Sequence, residues 1–336
     1  MAVSRSHGGP DAQGAARWDF STNANACGPC PQVLDAIRHA DATRYPDPHY
    51  QALREKLAHW HGVAAQRVLL AASASEFIMR ITAVVARLAP GPVVVPLQAY
   101  GDYSAAACAQ GLNVVHAAQQ PALVWHCDPS SPLGQTARPN RQPANVPQEN
   151  GPQVLDLAYA PLRLEGASPW QDVELNAVFQ LHSPNKALGL TGIRGAYAIA
   201  PVAADRWSRA LEAAAPSWPL GAHALAMLDA WPNDDTQRWL DRSRDTLRAW
   251  KHRQLELFSS MGCEPRPSVA NFFCAKWPAE LPLAALRDAG IGLRDCNSFG
   301  LPGWVRASVQ PPAAQQALQQ ALARLQGQRS DPQVAP

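Results

Sequence analysis

The sequence predicts an α/β chain, with a large domain on a mostly parallel, helix-flanked sheet and a smaller α+β domain after it. Three observations carry this. Short apolar runs suited to buried strands alternate with helical stretches up to about residue 228. Beyond that point the texture changes to one long amphipathic helix, then short strands and helices. The composition, 47% hydrophobic and 17% charged over 336 residues, allows a sizeable buried core.

The elements follow in order. Residues 1–30 read as an irregular N-terminal arm with one short strand at 18–21. Helices are expected at 31–40 and 49–61, the second with Leu53, Leu57 and Trp60 on one face. A short apolar strand at 68–70 leads to a helix at 76–87, a strand at 93–95 and a helix at 103–110. Strands at 114–115 and 123–125 come next, then one at 154–156 that ends in a carboxylate, and two more at 177–181 and 196–200. The second domain is read as a helix at 236–261, a strand at 270–275, a helix at 281–288, strands at 290–294 and 304–309, and a last helix at 313–325. The stretch 140–152, rich in Pro, Asn and Gln, reads as a surface loop. The division is therefore an arm at 1–30, a large domain at 31–228, a small domain at 229–326 and a disordered tail at 327–336.

Several function classes are disfavoured. The formal charge is only +2 and no long basic run occurs, so nucleic acid is not the expected partner. No run of about 18 apolar residues suggests a membrane span. The polar first residues lack the apolar core of a signal peptide, so a cytoplasmic address is expected. The seven cysteines are scattered. Cys27-Gly28-Pro29-Cys30 copies the spacing of a redox dithiol, but the preceding Asn23-Ala24-Asn25 reads as loop where that motif needs a strand. A zinc site would need a second close pair, and none exists, so no metal is expected.

The chemistry concentrates in Ser183-Pro184-Asn185-Lys186-Ala187-Leu188-Gly189-Leu190-Thr191-Gly192-Ile193-Arg194. A lysine sits just past an apolar strand, with a hydroxyl three residues before it and an arginine eight after it. Alone, Lys186 would be an ordinary surface lysine in a Gly-rich loop. A pyridoxal 5′-phosphate (PLP) enzyme, however, needs an amine to hold the cofactor as a Schiff base, with cationic and hydroxyl donors for its phosphate. Asp156 ends a strand thirty positions earlier and could keep the pyridine nitrogen protonated; Tyr159, three residues on, could donate to the ring's phenolic oxygen. Ala72-Ser73-Ala74-Ser75-Glu76 opens a helix after a strand, so the backbone at Ala74 and the Ser75 hydroxyl suit a phosphate as well as a plain N-cap. Tyr100 follows the next strand and could stack on the pyridine ring, or be a core tyrosine.

The order of helix start, aromatic, Asp-x-x-Tyr, Ser-x-x-Lys and Arg resembles class I/II aminotransferases of PLP fold type I, over about residues 19–325. The resemblance implies a homodimer with its active site between subunits. Arg44-Tyr45-Pro46-Asp47-Pro48 resembles the family segment whose tyrosine reaches the neighbouring subunit's cofactor phosphate, which implies that role for Tyr45. One departure stands out. The family's Asn-Pro-Thr-Gly is replaced by Asp128-Pro129-Ser130-Ser131-Pro132-Leu133-Gly134, so Ser131 falls where the asparagine belongs. A serine still donates one hydrogen bond, over a shorter reach.

Two end motifs narrow the reaction. His7-Gly8-Gly9 followed by Asp19-Phe20-Ser21-Thr22-Asn23-Ala24-Asn25 resembles the N-terminal arm of cobalamin-pathway threonine-phosphate decarboxylases. Leu293-Arg294-Asp295-Cys296-Asn297-Ser298-Phe299-Gly300-Leu301, with Trp304-Val305-Arg306, resembles the same enzymes' Arg-Asp-Cys segment and final arginine, on a slightly short loop. The resemblance implies decarboxylation of L-threonine O-3-phosphate to (R)-1-amino-2-propanol O-2-phosphate. Arg294 and Arg306 would clamp the substrate's two anions, and His7 and Asn23 would add donors. The alternative is an aminotransferase acting on histidinol phosphate or a related amino acid.

Overall fold

The computed structural model describes residues 8–138, 151–279 and 281–330, the last five by backbone alone. The arm contributes one short strand, β1 (Trp18–Asp19), and is followed by α1 (Pro31–Arg38) and α2 (Gln51–His61). Then come β2 (Val68–Ala71), α3 (Ala74–Leu88), β3 (Val93–Val94), α4 (Gly101–Ala109), β4 (Val114–Val115) and β5 (Leu123–Cys127). β6 (Gln153–Asp156), α5 (Asp172–Leu175), β7 (Phe179–His182), β8 (Ala196–Ile199), α6 (Asp205–Ala213) and α7 (Ala222–Ala230) complete this part.

Seven of these strands form one sheet in the order β2-β8-β7-β6-β5-β3-β4. The pairs β4–β3, β3–β5, β5–β6 and β6–β7 are parallel, while β8 runs antiparallel to both β7 and β2. The alternation of side chains along β2 shows why both faces need cover. Leu69 packs with Phe77 and Ile81 of α3, Tyr103 of α4 and Leu211 of α6. Val68 and Leu70 join Val33 of α1, Leu57 of α2 and Met227 of α7. The parallel pairing matters most for function, because it brings the carboxyl ends of several strands to one edge, where open α/β sheets bind ligands. Cys127 of β5 lies opposite Asp156 of β6, and Asp156 opposite Leu181 of β7.

The rest of the chain holds α8 (Asp234–Ser260), β9 (Glu264–Pro265), β10 (Phe272–Lys276), α9 (Leu283–Asp288), β11 (Ile291–Gly292), β12 (Arg294–Asp295), β13 (Trp304–Ser308) and α10 (Pro312–Ser330). A four-stranded antiparallel sheet has the order β12-β13-β10-β9. β1 pairs in parallel with β11, so the arm is tied to this C-terminal part.

The structure departs from the sequence reading in several places. The expected strand at 290–294 is two strands with different partners, β11 on β1 and β12 on β13. Helix α3 starts at Ala74, before the expected residue 76, because Ser73 is its N-cap: Ser73 Oγ accepts from Glu76 N at 3.1 Å. Helices α6 and α7 are absent from the sequence reading, although α6 is amphipathic. α7 reads Ala-His-Ala-Leu-Ala-Met-Leu-Asp-Ala, apolar on nearly every side, so it shows no 3.6-residue period. The expected tail from 327 is corrected in part, since the backbone of α10 continues to Ser330. Most of the expected loop at 140–152 lies outside the described residues. The boundary at 228–229 falls inside α7, and we propose that the two domains divide at the α7–α8 turn, residues 231–233.

Candidate active site

Lys186 stands in the turn after β7, and the arm holds that turn. Asn25 N donates to Lys186 O at 2.9 Å, Asn25 Nδ2 to Ala187 O at 3.0 Å, and Cys30 N to Leu188 O at 2.8 Å. Gly189 has φ +67°, and a Cβ there would sit 2.5 Å from Gly28 O, so only glycine fits this close approach. The segment Cys27–Cys30 is therefore a clamp on the lysine turn. Burial raises both thiols above their ordinary range, the reverse of a reactive dithiol, and both cysteines are free.

Asp156, 5% exposed, ends β6. Tyr103 Oη donates to its Oδ2 at 2.6 Å, and Ala158 N to its Oδ1 at 2.9 Å. Burial raises the carboxyl's proton affinity, and these donors with the Lys186 charge pull it back down. Tyr103 itself is fully buried, stacked on Trp125 at 4.4 Å with an 8° interplanar angle. The sequence reading missed Tyr103. Its one signal was a second tyrosine one helical turn after Tyr100. Lys186 Nζ lies 5.5 Å from the centre of the Tyr159 ring, and Asn23 Nδ2 donates to Tyr159 Oη at 3.3 Å. Ser75 Oγ and Tyr100 Oη are 3.2 Å apart.

Across the cavity, Arg294 of β12 and Arg306 of β13 stand directly opposite each other in an antiparallel pair. They are 5% and 7% exposed. Arg294 Nη2 donates to Ser298 Oγ at 2.6 Å, and Arg306 Nη2 to Ser21 O at 3.2 Å. Burial and the charge of Arg306 lower the Arg294 guanidinium below its ordinary range. Like charges directly opposite in a sheet are destabilising, and a bound anion would relieve that.

One cavity of about 480 Å³ joins these groups. Asn23, Ala74, Ser75, Tyr100, Ser131, Asp156, Tyr159, Ser183, Lys186, Arg194, Arg294 and Arg306 all line it. Gly8 lines it too; Gly9 N donates to Ser21 Oγ at 2.7 Å, and Ser21 Oγ in turn to Asp19 Oδ1 at 2.6 Å, which explains the pairing of the two arm motifs. His7 lies outside the described residues. Tyr45 is not among the residues lining the cavity: it is 79% exposed and stacks on Trp218 at 4.5 Å. Among the described residues no group of three or more His, Cys, Asp and Glu could hold a metal, and no helix is long and apolar enough to cross a membrane.

Comparison with known proteins gives the family and the fold. The model of the family "Aminotransferase class I and II" matches residues 18–325. The chain belongs to that family. Its curated relatives include the histidinol-phosphate aminotransferase of Erythrobacter litoralis, 30% identical over 334 residues, covering 89% of this chain and 88% of the relative. Among solved structures, histidinol-phosphate aminotransferase from Sinorhizobium meliloti in complex with pyridoxal-5′-phosphate aligns with TM-score 0.73 and 23% identity, over 92% of this chain and 90% of that one. L-threonine-O-3-phosphate decarboxylase from Porphyromonas gingivalis aligns with TM-score 0.72 and 20% identity, over 92% of this chain and 99% of that one. The fold is PLP fold type I, and the family's cofactor is PLP.

The residues present fit that cofactor. Ser183 Oγ is buried and meets no hydrogen-bond partner among the described residues, as expected of a donor meant for a phosphate. The exposed Arg194 and the first turn of α3 lie on the same cavity. A buried carboxylate that accepts from two donors is placed to pair with a protonated pyridine nitrogen.

Proposed function

We propose that this enzyme decarboxylates L-threonine O-3-phosphate to (R)-1-amino-2-propanol O-2-phosphate, a step serving cobalamin biosynthesis. The observation that carries it is the pair of buried, mutually opposed arginines on the cavity of Lys186, beneath an arm whose Gly8 and Asn23 line the same cavity. Two repelling cations suit a substrate with two anionic groups, and this substrate has a carboxylate and a phosphate.

PLP, when bound, supplies an electron sink conjugated to the substrate nitrogen. Lys186 provides the amine that holds the cofactor, and Ser75, Ser183 and Arg194 would hold its phosphate. Asp156 would maintain the positive charge at the ring nitrogen. Tyr159 and Ser131 are donors for the ring oxygen, and Tyr100 would cover the ring. Arg294 and Arg306, with His7 and Asn23, fix the substrate so that its Cα–carboxylate bond is the one that breaks. Carbon dioxide leaves, and Lys186 delivers a proton to Cα. The enzyme acts as a homodimer, in which Tyr45 serves the cofactor phosphate of the second copy.

A second reading is an aminotransferase acting on histidinol phosphate or a related amino acid. The curated relatives support it better than they support decarboxylation, since those matching along the chain carry that name. The same arginines would fit the two carboxylates of a keto-acid partner, and Lys186 would take a proton from Cα instead of giving one. The deciding assay supplies PLP and L-threonine O-3-phosphate with no keto acid. Stoichiometric carbon dioxide and aminopropanol phosphate are expected. No release, with amino transfer from histidinol phosphate to 2-oxoglutarate, would overturn the first reading in favour of the second.

A further inference from the structure

We propose that Phe299 is a positioning residue that sets the spacing of the two guanidiniums and thereby selects a ligand with two anionic groups; this rests on the reading that Arg294 and Arg306 clamp such a ligand. Residues 296–303 form the loop that joins β12 to β13, the strands carrying the two arginines. The loop turns back on itself: Phe299 N donates to Cys296 O at 2.9 Å, Gly300 N to Asn297 O at 3.0 Å, and Gly300 is left-handed at φ +72°. Phe299, beside that turn, lines the cavity. Its ring centre is 5.0 Å from Arg294 Cζ and 5.6 Å from Arg306 Cζ. Phe272 lies 5.7 Å from Arg306 Cζ.

The residue type matters here. An aromatic face carries negative quadrupole density and attracts a cation without taking a hydrogen-bond donor from it. A carboxylate at 299 would also hold the arginines, but it would neutralise the pair and compete with the substrate's anions. The neighbouring acid, Asp295 of β12, is occupied elsewhere, accepting from Asn297 N at 2.6 Å and Asn297 Nδ2 at 2.9 Å. An aliphatic side chain would fill the space beside Leu301 and Cys296 but would offer neither cation an attractive face. One ring within reach of both guanidiniums holds them in a fixed relation without itself accepting a hydrogen bond from either.

The test compares Phe299→Leu, which keeps an apolar filler, with Phe299→Tyr, which keeps the aromatic face. PLP-loaded protein is titrated with O-phospho-L-threonine, bearing two anionic groups, and with L-threonine, bearing one, by the change in cofactor absorbance. Thermal melts of each variant show that it is folded. Phe299→Leu is expected to weaken O-phospho-L-threonine about tenfold, the order of a desolvated cation–π contact. L-threonine should shift less than about threefold, and Phe299→Tyr should restore the dianion. In turnover the loss should fall on KM more than on kcat. Equal losses for both ligands, or no loss for the dianion in Phe299→Leu, would overturn the proposal. If wild-type protein ignores O-phospho-L-threonine, it is the substrate reading that fails, and L-glutamate against L-alanine then tests Phe299 by the same criteria. A wild type that binds neither dianion would overturn both.

Discussion

Replacing Tyr103 with Phe removes one hydroxyl from a fully packed position, since the ring can keep its stacking on Trp125 at 4.4 Å. What is lost is the 2.6 Å hydrogen bond to Asp156 Oδ2, leaving the 2.9 Å bond from Ala158 N as the carboxylate's other donor. A hydrogen bond to a buried charged group is worth about 1.5–3 kcal/mol. If the ionised carboxylate is what holds the cofactor's ring nitrogen, PLP affinity should fall by roughly ten- to a hundredfold. The pH dependence gives a second check. Burial has already raised the proton affinity of Asp156, and losing a donor raises it further, so the variant's defect should deepen as pH falls and recede as pH rises. The cofactor-free fold should behave in the opposite sense for this group. An acid raised on folding contributes stability that is present below its ordinary 3.8 and is lost as pH rises through the folded value. The assay is a PLP titration of apoprotein followed by cofactor absorbance at several pH values. Wild-type affinity with an unchanged pH profile in Tyr103→Phe would refute the role given to this bond.

Two further outcomes follow from the same cavity and its surroundings. Ser183→Ala removes a buried hydroxyl that meets no partner among the described residues, so the apoprotein's Tm should hold or rise while PLP loading weakens about tenfold; a fall in Tm with unchanged loading would count against a phosphate role. His61, beside Tyr197 Oη at 2.9 Å and 4.7 Å from the buried His182 ring, is depressed by burial from 6.5 to about 4. For a depressed base, stability is full above 6.5 and is lost as pH falls toward 4, here by about 2–3 kcal/mol. Urea midpoints should therefore drop across that window, less steeply in His61→Gln, and parallel profiles for the two proteins would refute this.

What the sequence made legible was local. Ser183, Lys186 and Arg194 lie within one turn-forming stretch after a strand, and Asp156 ends another strand, so short-range pattern and cofactor chemistry were enough to single them out. Tyr103 was not legible, because its partner is 53 residues away and depends on which strand lies next to which in the sheet. Phe299 was quoted only as part of a motif; its relation to the arginines needs the β12–β13 register and the folded loop between them. Helix α7 escaped for a different reason: it lies against α1 and α2 with Ala224, Met227, Leu228 and Ala230 buried, so its sequence lost the polar face that periodicity detects.

The cavity holds several departures from the rules that keep a fold stable. Ser183 Oγ, Asn23 Oδ1 and Arg306 Nε are buried there without partners among the described residues. Asp156 is a nearly inaccessible carboxylate, and Arg294 and Arg306 place like charges opposite each other in a sheet. Each costs stability in the free protein. Other buried cations of the chain sit in ion pairs as well: Arg80 with Glu76, Lys251 with Glu165 and Arg163 with Asp128. A site built to bind a phosphate, a protonated ring and a dianion must hold donors and charges ready before those groups arrive, and preorganisation of that kind costs stability in the empty fold.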